Sequence, residues 1–347
     1  MRLAVLDVGS SAANMLATDT GTDTALDGDL PLAAHAWKQR TLLAEKVQPD
    51  GTIEPEGVRR VVAAVARAAD EIHRARVDEF FAYATAAVRD APNRDDVLDA
   101  VASATGIRLG LLSGVEEARL TFLAARRWLG WQAGPMLLID IGGGTLEVAF
   151  GPDRLPGSAL SLPLGAGRLT RQFLRDGDPP SAAAVRELRK HVRKEVAHVA
   201  AQVSWESTRT AVATSATLRQ LARLTGAAPQ SRGPFVDRRL RRQALRPWIG
   251  RLASMPAQRR ARLPGVSQQR ARQSLAGAIV AHELMRGLDV DVMRVCPWGL
   301  REGILLRRLE THQPRLDRAA WTRPVPVLRR PSLGRRACGA AAGVVVR

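Results

Sequence analysis

The sequence predicts an α/β protein in which one unit is used twice, the two copies facing each other across a cleft. Three observations carry this reading. AVLDVGSSAANM at residues 4–15 aligns with LLIDIGGGTLEV at 137–148 at an offset of 133, superposing Asp7 on Asp140 and Gly9 on Gly142. YATAAV at 83–88 aligns with VATSAT at 212–217 at an offset of 129, matching Ala84 with Ala213, Thr85 with Thr214 and Ala87 with Ala216. Around both pairs, apolar strand-like runs alternate with segments of helical period, as a repeated supersecondary unit requires.

The first copy reads in order as follows. An apolar run from Leu3 to Leu6 meets Asp7 and turns at Gly9. Val58, Val61, Val62, Val65, Ala69 and Ile72 recur at helical spacing after Pro55, a residue that a first helical turn tolerates. Phe80 to Ala84 is β-rich. Asn93 is placed to cap a helix closing at Gly106, with Asp95 and Asp96 in the first turn, where the helix dipole favours carboxylates. A strand from Ile107 to Leu112 leads through Ser113 and Gly114 into a helix carrying Leu120, Phe122, Leu123 and Trp128. GWQAGP at 130–135 is the connection between copies.

The second copy repeats the plan. A turn at Gly151-Pro152-Asp153 precedes a helix from about Ser181, with Val185, Leu188, Val192, Val196, Val199 and Val203 on one stripe. Strand Ala211 to Ala213 and helix Thr217 to Leu224 complete the matching unit. The arginine-rich stretch that follows predicts helices broken by Pro247, Pro256 and Pro264. Beyond about Glu310 the pattern dissolves into Pro, Arg and Ala, predicting a disordered tail. The expected division is therefore 1–130, 131–310 and a basic tail over 311–347.

A length of 347 residues exceeds the roughly 250 at which a single core stops growing, so two domains are expected. Hydrophobic content of 46% with 25% charged residues describes a globular protein, and no apolar run approaches a membrane span or a signal peptide. The cytoplasm is the expected compartment. Two cysteines, Cys296 and Cys338, exclude a disulfide framework, and no Cys/His spacing resembles a zinc site. The formal charge of +18 is concentrated in residues 232–273, with twelve Arg against one Asp, and 313–347, with eight Arg against one Asp. Such stretches suit a polyanion, and a merely solvated basic face suits them equally; Arg outnumbers Lys 48 to 4 throughout.

The chemistry is concentrated in MLLIDIGGGTLEVAFG, residues 136–151. A strand that delivers Asp140 and turns through Gly142, Gly143 and Gly144 lets backbone N–H groups approach an anion that side chains would keep away. Asp140 can hold Mg²⁺, which prefers carboxylate oxygens and shares itself with substrate phosphates. Glu147, on the returning strand, lies within reach of the same ion. No G-x-x-x-x-G-K-[ST] occurs, and no G-x-S-x-G.

LDVGSSAANML (6–16), ATAAVRDAPN (84–93), LLSGVEEARLTFLA (111–124), LIDIGGGTLEV (138–148), SLPLGAGRLT (161–170), ATSATLRQLARLTGA (213–227) and CPWGLREGIL (296–305) together resemble the exopolyphosphatase and guanosine pentaphosphate phosphohydrolase family. That family lies within the actin, hexokinase and acetate kinase superfamily. The resemblance spans about residues 3–309. It implies two ribonuclease H-like, actin-like ATPase domains flanking a cleft, in the short form without an extra C-terminal helical domain.

By the same resemblance Glu117 is the general base on the attacking water, with Glu116 a dipole-stabilising neighbour, and Arg89 serves the scissile phosphate. Asp140 and Glu147 are the metal carboxylates, aided by Asp7 from the opposite domain. Gly9, Ser10, Ser11, Gly142, Gly143, Gly144, Thr145, Ser215 and Thr217 form the phosphate cradle. The chain departs from the family at Ser11, where Asn is usual, at Ala12, where a hydroxyl is usual, and at Ala216, where Gly is common.

The implied activity is hydrolysis of the terminal phosphoanhydride of inorganic polyphosphate with magnesium, manganese being the substitute ion, and short chains preferred. A link to the stringent response is also implied, and the rival readings are hydrolysis of guanosine pentaphosphate and a non-catalytic phosphate or nucleotide sensor. No membrane and no specific nucleic acid is expected as partner, and a homodimer is left open.

Overall fold

The structure, a computed structural model, describes residues 1–19, 33–202 and 210–312. Its first sheet is built around β1 (Arg2–Val8), in which Leu3 to Leu6 are all fully buried. An uninterrupted apolar run of this kind belongs to a strand covered on both faces. β1 pairs antiparallel with β2 (Ala12–Asp19), which pairs antiparallel with β3 (His35–Arg40). After helix α1 (Pro55–Arg74), β4 (Glu79–Ala84) joins β1 in parallel. The short α2 (Ala86–Arg89) and α3 (Arg94–Thr105) then lead to β5 (Gly110–Leu111) and to α4 (Gly114–Leu129), giving the order β3-β2-β1-β4-β5.

The second sheet repeats this arrangement. β6 (Met136–Ile141), β7 (Leu146–Gly151) and β8 (Ser158–Leu162) form an antiparallel meander. Helices α5 (Ala166–Phe173) and α6 (Ala182–Gln202) precede β9 (Thr210–Ala213), which is parallel to β6. Next come α7 (Ser215–Leu224), β10 (Arg239–Arg241), α8 (Arg242–Ala253), α9 (Ala257–Arg260), α10 (Ser274–Gly287), β11 (Val292–Val295) and α11 (Leu300–His312). The order β8-β7-β6-β9-β11 matches the first sheet strand for strand, and β10 adds an antiparallel edge.

The duplication extends to single hydrogen bonds. Gly9 N–H donates to Ala12 O at 3.0 Å, and Gly142 N–H, 133 residues on, donates to Thr145 O at 2.9 Å. One difference stands out. Thr85 N–H reaches Val8 O, whereas Thr214 N–H reaches Ile139 O, two residues short of the equivalent Ile141. A slip of two preserves which face each side chain occupies. It also brings the Thr214 hydroxyl onto Asp140 Oδ2 at 2.5 Å, while the Thr85 hydroxyl meets only Val8 O.

Each copy's last helix packs on the other copy's sheet. From α4, Ala118, Phe122 and Leu123 pack with Met136, Leu138, Ala149 and Ala159 of the second sheet. From α11, Ile304 and Leu305 pack with Leu3, Val5 and Leu16 of the first. The two helices cross closely enough that a Cβ on Gly303 would lie 2.0 Å from Leu120 O. On the outer faces, α1 and α3 bury Val61, Val65, Val97 and Val101, and α6 buries the predicted stripe Leu188, Val192, Val196 and Val199. Val203 lies outside the described residues. Glu283, 1% exposed on α10, ties to Arg189 and Arg193 of α6 and to Arg286.

Several local expectations are corrected. Asn93 makes no side-chain cap; its amide instead grips the Ile53 backbone, accepting from N–H and donating to O, both at 3.0 Å. The strand expected over 107–112 is confined to Gly110–Leu111, the part that pairs with Tyr83 and Ala84. Pro247 does not break its helix: α8 runs through it, with Leu245, Ile249 and Leu252 buried around it. Apolar burial of that face outweighs one lost backbone hydrogen bond. At the C-terminus α11 continues to His312, and the rest of the expected tail lies outside the described residues.

Candidate active site

The two sheets bring their equivalent hairpins to one cleft of about 470 Å³. Its walls are the β1–β2 and β6–β7 turns, the turns that start α2 and α7, and the first turns of α4 and α11. The hairpins all but touch, since a Cβ on Gly143 would lie 2.1 Å from the Ser10 hydroxyl oxygen and one on Gly144 would lie 2.9 Å from the Ala86 Cβ. Bare backbone is required here for that physical reason.

The glycine loop is oriented by α5. Ala166 N–H donates to Gly142 O at 3.0 Å, Arg168 N–H to Gly143 O at 2.9 Å and Gly165 N–H to Gly144 O at 3.3 Å. The loop's carbonyls are thereby occupied, while the N–H groups of Gly143 and Gly144 find no acceptor among the described residues. Free N–H groups of consecutive residues form an anion-binding concavity. Across the cleft Ser215 adopts a left-handed φ of 68° at the start of α7, a conformation that costs a non-glycine residue about 1 kcal/mol. Ser10, Ser11, Thr145, Gly9 and Ser215 all line the cleft, as expected of cradle residues. Thr217 does not: it is 5% exposed, packs its methyl beneath Gly277 of α10 and leaves its hydroxyl without a partner among the described residues. The first turn of α7 carries Ser215 and Thr217 to different sides, so they cannot share one role.

Three of the carboxylates sit where the hairpins place them. Asp140 and Glu147 are direct cross-strand partners in the β6–β7 register, and Asp7 faces Asn14 at the equivalent register of β1–β2. Ser161 Oγ donates to Glu147 Oε1 at 2.9 Å. Asp7 Oδ1 is buried with no hydrogen-bond partner among the described residues. Glu117 enters from α4, whose start is fixed by a capping box. Ser113 Oγ accepts from Glu116 N–H at 3.2 Å, and Ser113 N–H donates to Glu116 Oε2 at 2.9 Å. Glu116 is therefore engaged by the Ser113 cap, and Glu117, 8% exposed, is free to face the cleft.

Crowding these acids together changes their chemistry. Burial, then the Glu147 carboxylate, push Glu117 well above the usual carboxylate range, with the Arg89 guanidinium opposing. Burial and then Asp140 push Glu147 up, against hydrogen bonds from Thr145 and Ser161. Burial lifts Asp7 to about 6, with Arg301 opposing and Asp140 adding to it. Asp140 is raised by burial and held back by the Thr214 hydroxyl. A hard cation would relieve this repulsion. Asp7, Asp140 and Glu147 offer the oxygen donors it prefers, and the orphaned Asp7 Oδ1 fits that use. Among the described residues no three acidic, His or Cys side chains form a ready-made metal cage. The donor set thus suits an ion that completes its shell with water and phosphate oxygens.

Arg89 is placed behind the base instead of along the cleft wall. Its Nη1 contacts Glu117 Oε1 and donates to Leu112 O at 3.0 Å, while Nε donates to Asp90 Oδ1 at 2.9 Å. Four cations that sequence reasoning missed do line the cleft: Lys38 of β3, Arg219 of α7, Arg270, and Arg301 of α11. None of them makes a side-chain hydrogen bond or ion pair among the described residues. Burial lowers the pKa of Lys38, Arg219 and Arg270, and neighbouring members of the group lower it further. Arg219 alone had a legible signal, since it lies one helical turn after Ser215 and so returns to the same face. The basic stretch 232–273 contributes only Arg270 to this wall. Arg238 and Arg260 are buried against backbone carbonyls, and Arg239 and Arg242 pair with Asp237 and Asp291.

A duplicated α/β fold with two facing hairpins, free loop N–H groups and unpaired cations around buried carboxylates defines a phosphate-handling protein of the actin-like ATPase architecture. The chain belongs to the Ppx/GppA phosphatase family, whose model matches residues 28–312. It is 46% identical over 312 residues to Exopolyphosphatase 1 of Mycobacterium tuberculosis, covering 90% of this chain and 89% of that one. An uncharacterised protein of Streptomyces coelicolor is 48% identical over 335 residues, covering 94% and 98%. The crystal structure of an exopolyphosphatase from Cytophaga hutchinsonii has the same fold, with a TM-score of 0.79 at 20% identity over 90% of this chain and 98% of that one. No helix among the described residues is long and apolar enough to cross a membrane.

Proposed function

We propose that the protein is an exopolyphosphatase, which releases orthophosphate by hydrolysing the terminal phosphoanhydride of inorganic polyphosphate. The observation that carries this is the meeting of Glu117, from one copy, with Glu147 and the free loop N–H groups, from the other, in a single cleft. Glu117 takes the proton of the attacking water. Burial and the Glu147 charge lift Glu117 to about 9, past working pH. With a divalent cation on Glu147 and Asp140 that repulsion is removed, and Glu117 returns toward the range where a carboxylate accepts a proton better than an exposed one. The Arg89 contact holds its carboxylate in place, and the cleft walls exclude bulk water from it.

The hairpin loops seat the terminal phosphate by backbone donors, and Lys38, Arg219, Arg270 and Arg301 offer charge for the phosphates behind it. Asp140, Glu147 and Asp7 would hold a divalent cation, Mg²⁺ by the chemistry of the donors, which when bound neutralises phosphate charge. Four unpaired cations favour a densely charged inorganic chain over a substrate with a neutral end.

The test is release of orthophosphate from inorganic polyphosphate and from guanosine pentaphosphate, with Mg²⁺, by the unsubstituted chain and by Glu117→Gln. Turnover of polyphosphate that Glu117→Gln abolishes is expected. Strong preference for the nucleotide would move the reading to a pentaphosphate phosphohydrolase, and tight binding without turnover of either would make the protein a sensor.

A further inference from the structure

Beyond the cleft wall, one side-chain chain links the two halves of the molecule. Asp90, at the end of α2, accepts from two arginines at once. Its Oδ1 takes Arg89 Nε at 2.9 Å, and its Oδ2 takes Arg168 Nη2 from α5 at 2.8 Å. Arg168 is itself anchored by its backbone, whose N–H donates to Gly143 O at 2.9 Å. Arg89, held between Asp90 and Leu112 O, turns the same Nη1 that meets Leu112 O onto Glu117 Oε1. The glycine loop of one half is thereby connected, through Arg168, Asp90 and Arg89, to the carboxylate of the other.

We infer that Asp90 and Arg168 form a positioning relay that fixes the Glu117 carboxylate relative to the glycine loop at residues 142–144. The inference rests on the hydrolase reading above and adds to it two residues that lie outside the cleft lining. The physical argument is geometric. A guanidinium is a rigid planar fork, so fixing its Nε at Asp90 and one Nη1 contact at Leu112 O determines where the Glu117 contact falls. Asp90 alone could rotate with α2. Tied also to Arg168, it is referenced to the loop that seats the phosphate, and the distance between base and substrate becomes a property of both halves together.

The competing account is an ordinary surface ion pair. Asp90 and Arg168 are each 35% exposed at the side chain, and pairs of that exposure contribute little to stability. The two accounts differ in what they change. A surface pair affects unfolding slightly and turnover not at all. A relay affects the chemical step while leaving phosphate binding intact, because the Arg168 N–H to Gly143 O bond belongs to the backbone and survives substitution.

The experiment uses the full chain with a short inorganic polyphosphate and Mg²⁺, comparing Arg168→Gln, Asp90→Asn, their double variant and Arg168→Lys. The relay expects kcat to fall by about tenfold or more in each glutamine or asparagine variant, the scale of a small misplacement of a reacting group. KM should stay within about twofold, since loop donors are untouched. The double variant should be no slower than the worse single, because both break one chain, and Arg168→Lys should recover part of the loss.

An unchanged kcat in Arg168→Gln overturns the relay, as do losses that multiply in the double variant or a kcat loss matched by a large fall in thermal midpoint. Turnover by the unsubstituted chain with any of those results refutes the relay alone. Absence of turnover on polyphosphate and nucleotide alike refutes the hydrolase reading, and the relay with it.

Discussion

Ser161 donates its hydroxyl to Glu147 Oε1 at 2.9 Å, and the same side chain fills the space beside Gly114, where α4 begins. A Cβ on Gly114 would lie 2.2 Å from Ser161 Oγ and 2.4 Å from its Cβ. The Gly114→Ala substitution therefore pushes α4, which carries Glu117, away from β8, whose Ser161 holds Glu147. It is expected to lower kcat by at least about tenfold and to destabilise by about 1–3 kcal/mol, as overpacking does. Steady-state kinetics and a denaturant titration check both. Ser161→Ala, which removes the hydrogen bond without a clash, should cost less in stability than Gly114→Ala.

Chelation separates catalysis from folding. Because the acidic residues form no ready-made cage, the metal-free protein is expected to keep its thermal midpoint while losing phosphate release entirely. Added Mg²⁺ should raise the midpoint appreciably only when polyphosphate is present, since phosphate oxygens complete the ion's shell. Differential scanning calorimetry with each component alone and with both decides this. A large stabilisation by Mg²⁺ alone would contradict it.

Arg219 illustrates a residue kept at a cost to stability. It lies in the cleft with Arg270 and Arg301, and burial together with the charge of Arg301 lowers its pKa. Arg219→Gln should raise KM for polyphosphate about five- to tenfold and weaken the dependence of KM on salt. It should leave the thermal midpoint unchanged or slightly higher, because a like-charge repulsion is removed. A fall in midpoint with KM unaltered would mean that this arginine is structural.

Glu283 governs stability in acid. Burial alone would raise its pKa, but the His282 imidazole 3.6 Å away, hydrogen bonds from Arg193 and the charges of Arg193 and Arg286 outweigh burial and hold it at about 2, against an ordinary 4.5. A depressed carboxylate contributes stability that is fully present above the unfolded value and is lost as pH falls through the folded one. The midpoint difference between the unsubstituted chain and Glu283→Gln should therefore be largest above about pH 5. There it would correspond to up to about 3 kcal/mol, shrinking toward zero as pH approaches 2. A difference independent of pH would assign Glu283 a packing role only.

Much of the site was legible because it is built from local signals. A strand ending in Asp and turning through small residues encodes its own hairpin, and hairpin register follows from the turn, so Glu147 opposite Asp140 could be read from spacing alone. The duplication was legible for the same reason, as it is written twice in the chain. Glu117 and Arg89 needed the family resemblance, since a Glu in a first helical turn and an Arg beside an Asp are ordinary on their own. Thr217 was misplaced because helical rotation, absent from a motif string, turns it away from Ser215 and into the core.

The amino-acid sequence by itself determined the two-copy α/β plan, the paired hairpins and their carboxylates, because strand period and turn chemistry act over a few neighbouring residues. Only the tertiary structure decided that α4 and α11 each rest on the other copy's sheet. It also brought Lys38, Arg219, Arg270 and Arg301 to one wall, and set Arg89 behind Glu117 with Asp90 and Arg168 in line. Those relationships join residues far apart in the chain, and it is the burial of apolar faces between the two sheets that brings them together.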